Sequence, residues 1–321
     1  MSFYLMSSTY PYSLKVSSVD PLSFPSVNGH VLVVGSSGAG KSVFANHLFP
    51  APDGLMLFKP DSLYASRRDF LKDVPSPFFF KPYDVADAYL YALGIDFSGI
   101  MASSLIPVVM HALSNGSFVD FWRVLGSYGK DGLLSSVASV VKSHFEVLYP
   151  PLVEKPEKKP VGRPRKVSSV RVLPPPLHPP PLSDRFFDFS GMGKFRAEFG
   201  AELVLRYLYS RLDGSFGVML IDEFHHVAKP NSVLDTLLRE FRVSGRLVGV
   251  SQSLSDVAPS MLSNFGSIFV GRGVHALDLK FLDQIDGKLP RLVVGLPAFC
   301  FLALHEYVST GRVVVYRWFD D

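Results

Sequence analysis

Three observations on this 321-residue chain predict an α/β fold, a mostly parallel sheet with helices on both faces. Apolar runs of strand length recur at 27–35, 54–58, 185–189, 216–221, 247–251, 267–270, 299–303 and 313–318. Segments with apolar residues at three- and four-residue spacing lie between many of them, at 41–48, 85–93, 118–125, 133–148, 195–212, 233–243 and 276–285. A glycine-rich turn joins the first run directly to the first helical segment, which is how a strand feeds a helix in such sheets. With 47% hydrophobic residues, the chain can bury the core of one large domain or of one domain with a sizeable insertion.

Taken in order, residues 1–26 are rich in Ser, Tyr and Pro and read as a loosely ordered arm. Residues 27–149 form the first part of the sheet domain, and the mostly helical pattern from 84 to about 147 reads as an insertion in it. Residues 150–183 break the composition. Within 151–182 stand ten of the chain's 25 prolines, and seven Lys/Arg oppose two Glu, a net of +5 that exceeds the +3 of the whole chain. Such a segment buries too little apolar surface to fold alone, so a disordered, partly polyproline-II excursion is expected. Residues 184–321 return to alternating strands and helices and form the second part of the domain. No internal repeat is visible.

Charge and cysteine usage exclude several classes. A net charge of +3 is too small to imply nucleic acid by itself. The single cysteine, Cys300, lies in an apolar run, so it reads as a core residue, and no intramolecular disulfide framework is possible. No N-terminal stretch combines a basic start with a long apolar core. The apolar runs Ile100–Leu113 and 292–304 fall short of a membrane span. A cytoplasmic protein without an integral membrane segment is expected, virion-associated if its origin is viral.

The turn after the first strand carries chemistry. His30-Val31-Leu32-Val33-Val34 leads into Gly35-Ser36-Ser37-Gly38-Ala39-Gly40-Lys41-Ser42. Glycines let successive backbone N–H groups turn inward around a polyphosphate, and the following helix adds its positive N-terminus. Lys41 then reaches the β- and γ-phosphates, and the Ser42 hydroxyl holds Mg²⁺. The expected fold is therefore a P-loop NTPase (RecA-like), with ATP and Mg²⁺ as cofactors. No Asn-Lys-x-Asp supports guanine specificity.

The loop needs a partner for metal and water. Gly217-Val218-Met219-Leu220-Ile221-Asp222-Glu223 is an apolar strand ending in two acids. Asp222 is placed to bind the metal and Glu223 to polarise the attacking water as general base. The run Leu247-Val248-Gly249-Val250-Ser251 delivers Gln252 to the same sheet edge, where an amide can sense the γ-phosphate. His225-His226 follow the acids, and no Cys/His spacing supports a metal site there.

Residues 242–257, with Arg242-Val243-Ser244-Gly245 leading into a strand closed by Ser251-Gln252, resemble the matching segment of FtsK/HerA-type DNA-pumping ATPases. The resemblance continues through 258–272, upstream at Phe187-Asp188-Phe189-Ser190-Gly191 and downstream at 289–295, covering roughly 27–60 and 184–318. It implies a homo-hexameric ring moving along double-stranded DNA, with an arginine from the neighbouring subunit completing each site. Arg242 matches the family's Arg-x-x-Gly position; Arg239, Arg246 and Arg272 are the other candidates. In build the chain is closer to the compact viral genome-packaging ATPases of that superfamily than to HerA or FtsK. One departure is Phe58-Lys59-Pro60-Asp61, where relatives often show Asp-Pro-Lys-type sequences.

Lys158-Lys159-Pro160-Val161-Gly162-Arg163-Pro164-Arg165-Lys166 resembles an AT-hook, whose Gly-Arg-Pro core enters the minor groove, but Val161 stands where the usual core has Arg. Generic phosphate attraction and a solvated linker are the other open readings. The expected function is ATP-driven movement of double-stranded DNA in genome packaging or DNA transfer, with capsid or transfer proteins as partners. The alternatives are a nucleotide-switched DNA-binding or partitioning protein, and a phage assembly ATPase resembling the zonula-occludens-toxin family.

Overall fold

The computed structural model describes residues 3–4, 15–18, 29–50, 52–61, 63, 72–129, 132–150, 152–154, 171–173, 186–210, 217–241, 245–311 and 313–317. Its strands are β1 (Phe3–Tyr4), β2 (Lys15–Ser18), β3 (His30–Val34), β4 (Gly54–Leu57), β5 (Leu152–Glu154), β6 (Arg171–Leu173), β7 (Phe186–Asp188), β8 (Val218–Ile221), β9 (Arg246–Ser251), β10 (Phe265–Gly271), β11 (Cys300–Ala303) and β12 (Val315–Arg317). Its helices are α1 (Lys41–Leu48), α2 (Pro82–Leu93), α3 (Ile100–Leu113), α4 (Phe118–Ser127), α5 (Leu133–Leu148), α6 (Lys194–Tyr209), α7 (Val233–Glu240), α8 (Pro259–Leu262), α9 (Ala276–Ile285), α10 (Leu289–Val294) and α11 (Leu304–Thr310). The chain divides into two compact units, one of residues 1–72, 183–191 and 208–321, the other of residues 73–182 and 192–207.

The first unit is built on one sheet of order β1-β2-β12-β11-β10-β3-β9-β8-β4-β7. From β10 to β7 every neighbour is parallel. Strand β11 runs antiparallel to both β10 and β12. The sheet is therefore mostly parallel, as expected for strands joined through helices. Strand β9 lies between β3 and β8, so the strand ending in two acids is not the direct neighbour of the one that feeds the glycine-rich turn.

All five residues of β3 are buried. Adjacent strand residues point to opposite faces, so a strand apolar throughout needs cover on both. On one face Val31 and Val33 share a core with Phe44 and Ala45 of α1, and Phe44 stacks on Phe301 of β11 at 4.4 Å. On the other face the buried ring of His30 ties three elements together. Its Nδ1 accepts from the Leu247 N–H of β9 (3.0 Å), which leaves Nε2 to donate to the Leu238 carbonyl of α7 (2.9 Å). Helices thus cover both faces, α1 on one and α7 on the other.

Gly249, in the middle of β9, is required by close packing. A Cβ there would lie 2.8 Å from the ring of Phe224 and 3.2 Å from Leu32 Cδ1. Phe224 is fully buried and follows directly on Asp222-Glu223. Gly249→Ala is expected to cost about 1–3 kcal/mol in urea denaturation, because overpacking a dense core forces neighbours off their rotamers. An unchanged midpoint would show that Phe224 has room to yield.

The second unit is helical. Tyr89 of α2, Phe121 of α4, Phe145 of α5 and Phe199 of α6 are fully buried in one cluster. Arg206 of α6 pairs with Asp87 (3.1 Å) and with the buried Glu202 (3.2 Å), so charge taken into the interior there is compensated. Tyr149 donates to the Pro75 carbonyl at 2.7 Å. Helix α6, read from sequence with 184–321, packs through Phe199 and Leu203 in this helical unit, and the unit opens at residue 73 rather than 84.

Other differences are short elements. Strands β1 and β2 lie in the segment read as an arm, and β2 pairs in parallel with β12. Strands β5 and β6, both inside the proline-rich segment, pair antiparallel, Leu152 opposite Leu173. Their partners come from distant or proline-interrupted sequence, so no local alternation announces them. Residues 289–295, where the resemblance continues downstream, contain the short helix α10. The basic motif at 158–166 lies outside the described residues. Among the described residues no helix is long and apolar enough to cross a membrane.

Candidate active site

The glycine-rich turn leaves β3 at the carboxyl edge of the parallel strands and enters α1 at Lys41. Gly38 (φ +75°) and Gly40 (φ +90°) hold left-handed conformations that side chains resist. The loop is closed by Ala39 N–H donating to the Ser36 carbonyl (3.2 Å) and braced by Ser36 N–H donating to the Arg272 carbonyl (3.0 Å). The first N–H groups of α1 have no partner within the helix, and its dipole adds positive charge, so the turn suits an anion. Lys41 Nζ donates to the Ser36 carbonyl at 2.9 Å, folding back over the loop. Burial lowers the pKa of this amine, and the charges of Glu223 and Asp222 oppose that shift. Lys41 is thus in the electrostatic range of both acids.

Those acids stand where β8 ends. Asp222 N–H donates to the Met56 carbonyl of β4 (2.9 Å), which extends the ladder by one rung and fixes the residue. Asp222 is only 7% exposed. Burial, reinforced by the charges of Glu223 and Asp61, pushes its pKa up to about 6. Glu223 adopts φ 50°, ψ 49°, an uncommon left-handed conformation for this residue, and turns the chain into the short 3₁₀ segment Phe224–His226. Its carboxylate accepts from Lys59 Nζ (2.5 Å) and from Gln252 Nε2 (3.1 and 3.3 Å). Burial would raise its pKa, but these hydrogen bonds and the Lys59 charge outweigh burial and hold it below the usual carboxylate range. His225 Nδ1 lies 3.3 Å away, with its pKa lowered by burial and by His226. His226 instead stacks on Phe58 at 4.6 Å.

Gln252 reaches Glu223 because β9 lies between β3 and β8 and ends one residue earlier, at Ser251. The next turn is anchored by Asp278 in the first turn of α9. Its Oδ1 accepts from Ser253 Oγ (2.7 Å) and from Ser255 N–H (3.0 Å).

The structure therefore brings together residues 35–42, Asp222, Glu223 and Gln252. Arg242 lies outside the described residues. Of the other arginines, Arg239 pairs with Asp235 on α7. Arg246 begins β9, at the opposite strand end from Gln252, and sits over the Phe49 ring at 5.5 Å. Arg272 is exposed beside its own phosphate loop. Sequence reasoning missed the roles of Lys59 and Phe299. For Lys59 a signal existed, a lysine two residues past a strand at the carboxyl edge; for Phe299, whose N–H donates to the Ala39 carbonyl (3.0 Å), none did.

The residues fit Mg²⁺. A buried carboxylate whose pKa is raised by burial and by two neighbouring acids favours an added cation, and one carboxylate plus one hydroxyl suits an ion that keeps waters and shares phosphate oxygens. Among the described residues no group of three or more His, Cys, Asp or Glu could hold a metal alone.

No family model matches the chain, and no curated protein matches it. Solved structures do. The bacterial conjugative coupling protein TrwBdeltaN70, unbound, is 15% identical over 90% of this chain and 85% of its own, with a TM-score of 0.58. VirB4 of Thermoanaerobacter pseudethanolicus is 12% identical over 94% and 93%, with a TM-score of 0.62. The plasmid coupling protein TrwB in complex with ADP and Mg²⁺ is 15% identical over 90% and 84%, with a TM-score of 0.57. At such identities the likeness establishes the fold, that of a P-loop NTPase.

Proposed function

We propose that this chain is a Mg²⁺-dependent ATP hydrolase that moves double-stranded DNA, in genome packaging or DNA transfer, as a homo-hexameric ring. The observation that carries the reading is the strand order β8-β9-β3, which sets two acids, an amide and the phosphate loop on one sheet edge. Backbone N–H groups of residues 35–42 cradle the phosphates, and Lys41 turns from the Ser36 carbonyl to the β- and γ-phosphates. Ser42 and Asp222 hold Mg²⁺, which when bound neutralises charge on the phosphate oxygens. Glu223 accepts a proton from the attacking water once its carboxylate is released from Lys59. Gln252, already hydrogen-bonded to Glu223, orients that water or reads the γ-phosphate.

The similar structures support a purine nucleotide with Mg²⁺ and this kind of work; TrwB was solved with a GTP analogue as well. TrwB is named a conjugative coupling protein and was solved with ADP and Mg²⁺ and with an ATP analogue. An arginine supplied in trans, Arg242 by the family pattern, stabilises transition-state charge in the neighbour's site. Capsid or DNA-transfer proteins are the expected partners.

The test measures ATP turnover with and without duplex DNA, and displacement of a third strand from a DNA triplex. DNA-stimulated turnover with displacement is expected, both lost in Lys41→Ala. ATP-dependent DNA binding with no displacement would instead identify a nucleotide-switched DNA-binding protein.

A further inference from the structure

Phe299 is a bulky residue in the left-handed region, with φ 60°. Aromatic side chains rarely adopt that conformation, and it persists only where the surroundings over-determine it. Two contacts do so here. The Phe299 N–H donates to the Ala39 carbonyl at 3.0 Å. Its ring lies against Gly40, where an added Cβ would come within 2.3 Å of the ring Cδ1. The ring therefore fills the space that any side chain at position 40 would need. Burial does not explain the strain, because Phe299 is 41% exposed.

Topology says what this ring faces. Strand β11 starts at the next residue, Cys300, and runs antiparallel to β10. Its beginning thus lies at the carboxyl ends of β10 and β3, the edge that carries the phosphate loop. Gly40 and Lys41 are the positions where such a loop holds the β-phosphate. The ribose and base extend from the α-phosphate past the end of the loop. An aromatic ring packed against Gly40 and partly open to solvent is placed to meet them.

We propose that Phe299 is the stacking platform for the base of the nucleotide whose phosphates occupy residues 35–42. This rests on the nucleotide-binding reading of that loop. Every base has a π-face, so a platform without hydrogen-bonding groups accepts adenine and guanine alike and gives affinity rather than base identity.

The experiment uses the full chain in Mg²⁺ buffer and calorimetric titration with three probes: a non-hydrolysable ATP analogue, the corresponding GTP analogue and inorganic tripolyphosphate. Wild type is expected to bind both analogues more tightly than tripolyphosphate. Phe299→Leu should weaken the analogues about tenfold, the scale of one base–aromatic stack, while tripolyphosphate binding stays within about twofold. Phe299→Trp should keep the analogue affinity, and its added fluorescence should be quenched by the analogues and not by tripolyphosphate. Equal weakening of all three ligands by Phe299→Leu, no weakening, or an unquenched Phe299→Trp would overturn the platform and leave Phe299 as a brace of the loop. Wild type binding neither analogue nor tripolyphosphate would overturn the nucleotide reading, and the platform with it.

Discussion

Glu223→Gln is expected to lower ATP turnover by a factor on the order of 10²–10⁴, the usual contribution of a positioned general base, while nucleotide affinity stays near wild type. The amide keeps the size and the left-handed backbone of Glu223 and still accepts from Lys59 through its carbonyl oxygen. Removed with the charge are proton acceptance from water, the ion pair to Lys59 and one of the two oxygens that accept from Gln252. Single-turnover hydrolysis and nucleotide titration of both proteins check this, and equal turnover would take Glu223 out of the role. The arrangement around it sharpens the expectation. A carboxylate held by Lys59 at 2.5 Å and by Gln252 is a weak base in this conformation. Turnover then requires a rearrangement that frees it, and binding of phosphates near Lys59 and Lys41 supplies the competing charge.

Asp222→Asn is expected to abolish Mg²⁺-dependent turnover and at the same time to stabilise the metal-free, nucleotide-free chain. The carboxyl titrates at about 6 in the fold against an ordinary value of 3.8. Its folded pKa is raised, so the folded state binds more protons than the unfolded state between those values. Stability from this group is therefore greatest below about pH 4, falls as pH rises toward about 6, and stays low above. The difference amounts to as much as about 3 kcal/mol of unfavourable charge burial at neutral pH. Asparagine removes that charge. Urea denaturation in chelator should show Asp222→Asn more stable than wild type at pH 8, with the gap closing near pH 4. A gap of the same size at both values would assign the effect to packing. The trade is physical: a site built to attract a cation stores the cost of a buried carboxylate that Lys41 only partly compensates until the cation arrives.

Much of this molecule is legible in its sequence because the relevant signals are local. Eight apolar runs correspond to β3, β4 and β7 to β12, α5 and α9 begin and end where the sequence pattern places them, and α1 begins where it does. The phosphate loop can be read from glycine positions because the left-handed turns at Gly38 and Gly40 are a requirement of single residues. Asp222 and Glu223 can be read from the apolar strand that precedes them, since a parallel strand delivers its last residues to the ligand-bearing edge.

Other features depend on neighbours that no local pattern names. The insertion of β9 between β3 and β8 is a matter of strand order, and it alone puts Gln252 against Glu223. Lys59 reads as a departure from relatives, yet the fold makes it the ion-pair partner of the candidate base. His30 looks like one more residue of an apolar strand, but its ring joins β9 to α7. Phe299 carries no sequence signal because its conformation is forced by contacts with residues some 260 positions earlier in the chain. By itself the sequence determined most strands of the large sheet and the glycine turns of residues 35–42, since strand period, helix period and glycine turns act within a few residues. The tertiary structure alone decided which side chains surround that chemistry, because contacts between distant residues follow from the order in which strands pair and pack.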